Sequence, residues 1–266
     1  MKETKMIYRQ RGADPLYKIW HKQEDSVLLI YTHSGDGNIV FGDCMYPIQS
    51  GALCFIGSQK YHYTVPDFPE GYVRTKLLLS VGDFMHLRRM MGVEEDFLHR
   101  FSANSAVYAL FPGETQEEVA AMLEEVAKSE ERYRKTALLR AFMQLLVLLD
   151  RHGGADIPTP DGAITRAIYY IHGHLAEQIT VDALCEEVHL SKYYFCHRFK
   201  EKIGFTPMEY IKNTRLAVAR QMLEETSLSV SEVAERCGFT SCSYFCRAFK
   251  ESFGVTAYAY RQTHSI

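Results

Sequence analysis

The sequence contains Ser191-Lys-Tyr-Tyr-Phe-Cys-His-Arg-Phe-Lys-Glu-Lys-Ile-Gly204, and fifty positions later it contains Ser241-Cys-Ser-Tyr-Phe-Cys-Arg-Ala-Phe-Lys-Glu-Ser-Phe-Gly254. Ser, Tyr, Phe, Cys, Phe, Lys, Glu and Gly recur at the same offsets in both stretches. A short amphipathic segment precedes each copy, at 180–190 and at 229–239. A short helix, a turn and a second helix make a helix-turn-helix unit, so the sequence predicts two such units.

The second helix of each unit has an apolar face and a polar face, as a helix that enters the DNA major groove requires. The predicted inward stripes are Phe195, Phe199 and Ile203 in one unit and Phe245, Phe249 and Phe253 in the other. The candidate DNA contacts on the opposite faces are Lys192, Tyr193, Cys196, His197 and Lys200, then Cys242, Ser243, Cys246, Arg247 and Lys250.

Three of these residues suggest two distinct roles. The Arg247 guanidinium matches O6 and N7 of guanine, whereas Lys200 and Lys250 are expected to contact phosphates, which position the protein without reading sequence. Tyr193 and Tyr244 also have a plain interpretation as partly buried aromatics, which is favoured for Tyr244.

The predicted helix 208–225 joins the two units. At about 1.5 Å per residue it spans roughly 26 Å, which with its flanking turns separates the recognition helices by about one DNA turn, roughly 34 Å. The alternative to DNA binding is that these helix pairs only pack against each other. The duplication of the unit and its outward cations disfavour this alternative.

Charge and composition limit the classes of protein to which the chain can belong. The formal net charge is −3, and residues 160–266 contain twelve Lys/Arg and twelve Asp/Glu, so we expect modest non-specific DNA affinity. Seven cysteines without a Cys-x-x-Cys pair indicate reduced thiols in a cytoplasm. No apolar run approaches the roughly 18 residues of a membrane span, and no apolar signal region begins the chain.

The first part of the chain has a strand pattern followed by helices. Gly and Pro punctuate predicted strands at 26–33, 38–41, 44–48, 52–56, 61–65 and 72–79, which favours a sandwich or barrel. Predicted helices follow at 83–91, 114–128 and 136–149, with 106–111 as a strand or extended link. The last helix is apolar almost all round, so it packs either on the sheet or against another subunit. We predict a domain at 1–152, a linker at 153–162 and an all-helical domain at 163–266.

Residues 164–261 resemble the DNA-binding domain of the AraC/XylS family of bacterial transcription regulators. The residues that carry the resemblance are Ser191, Phe195, Phe199-Lys200, Gly204, Pro207, Tyr210-Ile211, Arg215-Leu216, Ala219, Leu223, Val230, Val233-Ala234, Gly238-Phe239, Ser243-Tyr244-Phe245, Arg247, Phe249-Lys250, Gly254 and Tyr260-Arg261. Three positions depart from the family pattern: Ala257 replaces the usual Pro, Cys185 the usual Ala and His197 a common Arg. The last change is expected to weaken base contacts of the first unit or make them pH-dependent.

The first domain resembles the cupin-like effector domain of the same family, on the motifs 31–37, 46–56 and 61–63. The resemblance implies an α+β protein of two domains, with a cupin-like β-barrel and dimerisation helices before the all-α domain. It also implies a homodimer that binds double-stranded promoter DNA and a small-molecule effector such as a sugar, with RNA polymerase as a further partner. Activation is the commoner role in the family. Candidate effector contacts are Trp20, His21, Tyr31, His62 and Tyr63, each with barrel packing as the alternative.

Two other functions compete with this interpretation. A metal-dependent cupin enzyme needs about three His and a Glu, commonly with His-x-His, but the corresponding region 20–25 has one His. An effector-independent binder would use its barrel only to dimerise. Cys242 and Cys246 also suggest a thiol sensor or a zinc site, which the absence of nearby further ligands disfavours. We therefore expect no catalytic residues, no metal and no cofactor.

Overall fold

The computed structural model describes residues 4–12, 22–23, 25–41, 44–58, 60, 62–91, 100–102, 105–152 and 162–264. The chain divides into two units, Met1–Pro160 and Asp161–Ile266. The predicted linker 153–162 lies outside the described residues except for Gly162.

Eight antiparallel strands in the described part of the first unit form two sheets. The strands are β1 (Lys5–Arg11), β2 (Ser26–Ser34), β3 (Gly37–Phe41), β4 (Cys44–Ile48), β5 (Ala52–Ile56), β6 (His62–Pro66), β7 (Val73–Ser80) and β8 (Ala106–Leu110). One sheet has the order β1-β7-β2-β5-β8 and the other β4-β3-β6. The predicted two-domain α+β class is confirmed, whereas the predicted barrel is not, since these described strands form two sheets and no closed barrel.

Strand β2 is buried on both faces, and its alternation separates two cores. Val27, Leu29 and Tyr31 pack towards the helices, whereas Leu28 and Ile30 pack with residues of the smaller sheet, such as Ile39. Successive side chains of a strand point to opposite faces, so this nearly continuous apolar run marks a strand inside a layered domain.

Three helices of the first unit are described: α1 (Val81–Met91), α2 (Gly113–Lys128) and α3 (Glu131–His152). Helix α3 contains the predicted apolar helix 136–149 and buries one face in the core beneath the larger sheet. The buried residues of that face are Leu138, Ala141, Phe142, Leu145, Leu146 and Leu149. Of the two predicted uses of this apolar face, packing on the larger sheet therefore explains its burial.

Strand β1 was not predicted as a separate strand. Its sequence, Lys-Met-Ile-Tyr-Arg-Gln-Arg, has no fully buried residue, and the strand lies at the edge of the larger sheet. Its pairing with β7 shifts register between Ile7 and Gln10, which marks a bulge.

The second unit is helical in all its described elements. The helices are α4 (Gly162–Gly173), α5 (Val181–Val188), α6 (Lys192–Ile203), α7 (Pro207–Glu225), α8 (Val230–Arg236), α9 (Cys242–Phe253) and α10 (Ala257–His264). The helix-turn-helix units are thus α5–α6 and α8–α9, joined by α7 as the repeat predicts. In the described part of the chain, no helix combines the length and the apolar character that crossing a bilayer requires.

The turns of the two units share a left-handed residue at the same position. His189 has φ 57° and Gly238 has φ 77°. In the first unit the next amide, that of Leu190, donates to Cys185 O at 3.1 Å, and in the second that of Phe239 donates to Ala234 O at 3.0 Å. His189 is exposed, so a side chain is tolerated there, although left-handed backbone favours glycine.

Gly238 occupies a crowded junction between three segments of the second unit. A Cβ at this position would lie 2.5 Å from Leu175 O and 2.9 Å from Arg215 Nη2. Arg215, on α7, donates from Nε to Leu175 O at 2.9 Å and from Nη2 to Glu177 O at 2.5 Å. The loop before the first helix-turn-helix, the connecting helix and the turn of the second helix-turn-helix therefore meet at this point.

We expect Gly238→Ala to lower the free energy of unfolding by at least about 2 kcal/mol, because the added Cβ combines left-handed strain with a backbone clash. His189→Ala is the matched control, since it places alanine at the equivalent turn position without that clash. Urea unfolding followed by circular dichroism compares the two. An equal loss in both variants would show that the Leu175 contact is not the cause.

A hydrogen-bonded cluster holds the bulge of β1 against the sheet. The Arg9 amide donates to Thr75 Oγ1 at 3.1 Å, and His33 Nε2 lies 2.7 Å from the same oxygen. Burial, followed by the charge of Arg9, lowers the pKa of His33 from 6.5 to about 4. A neutral His33 can accept the hydrogen of the Thr75 hydroxyl, whereas a protonated ring cannot.

The low pKa of His33 predicts acid-sensitive stability. Between about pH 6.5 and 4 the unfolded chain binds a proton that the folded chain does not, so the free energy of unfolding should fall as pH falls through this window. Denaturant titrations across this range should give a shallower pH dependence for His33→Gln, which retains an acceptor for Thr75. Identical pH dependence in the two proteins would contradict the assignment.

Candidate nucleic-acid interface

The recognition helices α6 and α9 begin and end at defined positions. Ser241 Oγ accepts the Tyr244 amide at 3.2 Å, which caps α9. Ser191 is the N-cap residue of α6, as predicted, but its side chain makes no capping hydrogen bond. Gly204 and Gly254 end the helices with φ 80° and 76°, so both predicted stops are confirmed.

Aromatic stripes fix the rotation of each recognition helix. Phe195 and Phe199 are fully buried with ring centroids 5.5 Å apart, and Phe245 and Phe249 are fully buried with centroids 5.6 Å apart. Each pair buries a large apolar area, and burying one such side chain is worth about 1.5–3 kcal/mol. Turning either helix to hide its polar face would expose these rings, so the opposite face is held towards solvent.

The outward face of α6 presents four exposed side chains and one half-buried thiol. Lys192, His197 and Lys200 are exposed, Cys196 is half-buried, and Tyr193 is 85% exposed. The Tyr193 and His197 rings lie nearly parallel, with centroids 6.4 Å apart. Tyr193 is therefore available to a ligand and takes no part in the core.

Lys192 has a partner that the sequence did not suggest. Its Nζ lies 2.9 Å from Asp182 Oδ1 on α5, and the hydrogen bond with Asp182 raises the pKa of Lys192. Both groups are exposed, so the pair adds little to stability. A phosphate contact by Lys192 would compete with this carboxylate, which makes Lys200 the better-placed lysine on this helix.

The outward face of α9 presents one arginine beside an aromatic ring. Arg247 is exposed, and its guanidinium carbon lies 5.9 Å from the centre of the Tyr244 ring, which is 42% exposed. A guanidinium over an aromatic face is held by cation–π attraction, which orients its donors. Ser243 and Lys250 are exposed and Cys242 and Cys246 half-buried, so all five predicted contacts of this unit lie on one side of the helix.

The predicted effector residues do not share one face of the sheets. Trp20 and His21 lie outside the described residues. Tyr31 is in the core beneath the helices, where its hydroxyl donates to Gln116 O at 3.3 Å. His62 pairs with Phe41 and Tyr63 with Val40, so these two neighbours on β6 point to opposite faces. All three described residues are buried.

Potential metal ligands are dispersed in the described part of the first unit. His33 bonds Thr75, and His62 Nδ1 lies 3.3 Å from Lys60 O. Within the described ranges of the whole chain, no group of three or more His, Cys, Asp or Glu is arranged to hold a metal ion.

The chain is similar to known helix-turn-helix proteins. A family model described as a helix-turn-helix domain matches residues 184–263. The chain is 26% identical over 229 residues to the HTH-type transcriptional activator RhaS of Enterobacter sp. strain 638, covering 82% of this chain and 78% of that protein. The RhaS of Salmonella schwarzengrund is also 26% identical, over 226 residues that cover 82% of this chain and 78% of that protein.

Among solved structures, the DNA-binding domain of AdpA, a global transcriptional factor crystallised with a target DNA, is 30% identical to this chain. The match covers 39% of this chain and 93% of that domain, with a TM-score of 0.38. The chain thus carries a helix-turn-helix domain at residues 184–263 and is similar over most of its length to HTH-type transcriptional activators, as its resemblance to the AraC/XylS family predicts.

Proposed function

We propose that the protein is a sequence-specific transcription regulator that places α6 and α9 in successive major-groove segments of promoter DNA. The observation that carries the proposal is the pair of recognition helices, each with a buried aromatic stripe and an exposed polar face. The connecting helix α7 has 19 residues and so rises about 27 Å, which suits two reading helices about one DNA turn apart.

The two recognition helices differ in the readout they offer. Arg247 is the residue of α9 whose forked donors suit guanine, and Ser243 can bond any base as donor or acceptor. On α6 the corresponding position to Arg247 is His197, beside the exposed ring of Tyr193. We propose that α9 supplies the stronger base discrimination. Helix α6 would rely mainly on its fit to the groove and on the phosphate contact of Lys200.

The N-terminal unit is proposed to sense a small molecule and to pair two subunits. The relatives above are named activators, so activation is the proposed direction of control. A sugar or related metabolite is the effector class that the resemblance to the AraC/XylS family suggests. Effector binding would bias how the DNA-binding units are presented to the promoter and to RNA polymerase, through the segment 153–162. The protein would act in the cytoplasm, with domains at 1–152 and 163–266.

Arg247→Ala should relax discrimination at one base position by about 1–3 kcal/mol. Selection from random double-stranded DNA gives the preferred sites of the wild-type protein and of the variant. Arg132→Ala, which changes an exposed arginine of the first unit, is the matched control and should keep the wild-type preference. An unchanged preference in Arg247→Ala would contradict its proposed role in base readout.

Lys250→Ala should act differently, because a phosphate contact carries no sequence information. Its affinity should fall similarly for preferred and random DNA, and the slope of log K against log salt should decrease by about one. Fluorescence anisotropy at several salt concentrations measures both quantities. A loss confined to the preferred site would show that Lys250 reads a base.

The effector proposal is tested separately from DNA binding. Thermal unfolding of the full chain with a panel of sugars and related metabolites should reveal a ligand that raises the midpoint and alters affinity for the selected DNA. If selected DNA is bound tightly and no metabolite changes either quantity, the first unit serves only to pair subunits.

A further inference from the structure

Two thiols lie side by side on the DNA-facing helix of the second unit. Cys242 and Cys246 are one turn apart on α9, and their Sγ atoms are 4.0 Å from each other. Both are half-buried against the core of this unit, next to the exposed Ser243 and Arg247. A group bound to both sulfurs would therefore lie at the surface where α9 is proposed to meet DNA.

A disulfide does not suit this pair. The Cβ atoms of residues four apart on a helix are about 5–6 Å from each other, whereas a disulfide needs about 3.5–4.5 Å. Closing the bond would distort α9 against the buried rings of Phe245 and Phe249. The thiols can approach each other as neighbours, but they cannot join directly without moving the backbone.

A tetrahedral zinc site does not suit it either. Structural zinc takes four ligands, and in the described ranges of the chain no third His, Cys, Asp or Glu joins these two. The two thiols can therefore bind an atom that needs only two sulfur ligands. A three-coordinate pyramidal atom, with bonds of about 2.3 Å and an angle of about 100°, takes sulfurs about 3.5 Å apart, which a small rotation of the two thiols supplies from the observed 4.0 Å, whereas a linear ion would require about 4.6 Å.

We propose that Cys242 and Cys246 form a two-thiol binding site for trivalent arsenic compounds, and that occupation of this site releases DNA. An organoarsenic(III) oxide has the required chemistry, because its As–O bonding is replaced by two As–S bonds. The two thiol protons leave with the oxygen as one water molecule, and no atom is oxidised or reduced. Burial raises the pKa of Cys246, so its proton is present at neutral pH to complete that water.

The bound arsenic would carry its organic substituent away from the core, beside the exposed side chains of Ser243 and Arg247. It would block the approach of this face to a base pair, even though the fold of the unit is retained. This consequence rests on the proposed DNA-binding function, whereas the formation of the adduct does not.

The experiment uses the full chain, phenylarsine oxide as the probe, and DNA selected by the wild-type protein. Peptide mapping by mass spectrometry should find one phenylarsenic group bridging Cys242 and Cys246, and Cys242→Ser and Cys246→Ser should each lose this bridge. Equimolar probe should weaken wild-type DNA binding at least tenfold, and an excess of a small dithiol should restore it.

The effect on DNA binding is expressed for each protein as the ratio of affinities with and without probe, so a change in basal affinity cancels. Cys44→Ser, in the other unit, should respond as the wild type does, whereas the two serine variants of α9 should respond less than twofold. The absence of the bridge, or a bridge that leaves affinity unchanged, would overturn the proposal. A wild-type protein that selects no DNA would overturn the proposed function, and with it the release of DNA, while the bridge itself stays measurable.

Discussion

The burial of two aromatic pairs determines what the second unit can do. Phe195 with Phe199, and Phe245 with Phe249, occupy the cores on which α6 and α9 rest. Their burial sets the rotation of each recognition helix, and the rotation decides which side chains solvent and DNA can reach. The polar faces point outward because the aromatic faces are buried, so the burial that stabilises the fold also holds the proposed DNA contacts towards solvent.

Two reading surfaces are useful together only if their separation is fixed, and the junction at Gly238 supplies that constraint. Arg215 ties the connecting helix to the carbonyls of Leu175 and Glu177, and Gly238 lets the second turn pack against the same loop. A Cβ at this turn would lie 2.5 Å from Leu175 O, so a larger residue there costs stability. The equivalent turn of the first unit is open, and there the chain tolerates His189 in the same left-handed conformation.

The second unit could be predicted almost completely from sequence, because repeated apolar spacing, capping residues and terminal glycines all indicate the same helices. The first unit was harder. Edge strand β1 has no fully buried residue and only a three-residue apolar run between charged residues, and charged ends extend α3 beyond its apolar stretch. The faces of His62 and Tyr63 depend on strand register, which composition does not encode. The partner of Lys192, Asp182, is ten residues away and becomes a neighbour only when the helices pack.

In the proposed function, one chain reads two subsites at a fixed separation on one face of the duplex. The most direct measurement compares the affinity for a selected site with that for the same site carrying five extra base pairs between its subsites. Half a turn of DNA moves the second subsite to the opposite face, so affinity should drop to that of a single subsite. Equal affinity for the two DNAs would contradict the account, because it would mean that α6 and α9 do not engage the duplex together.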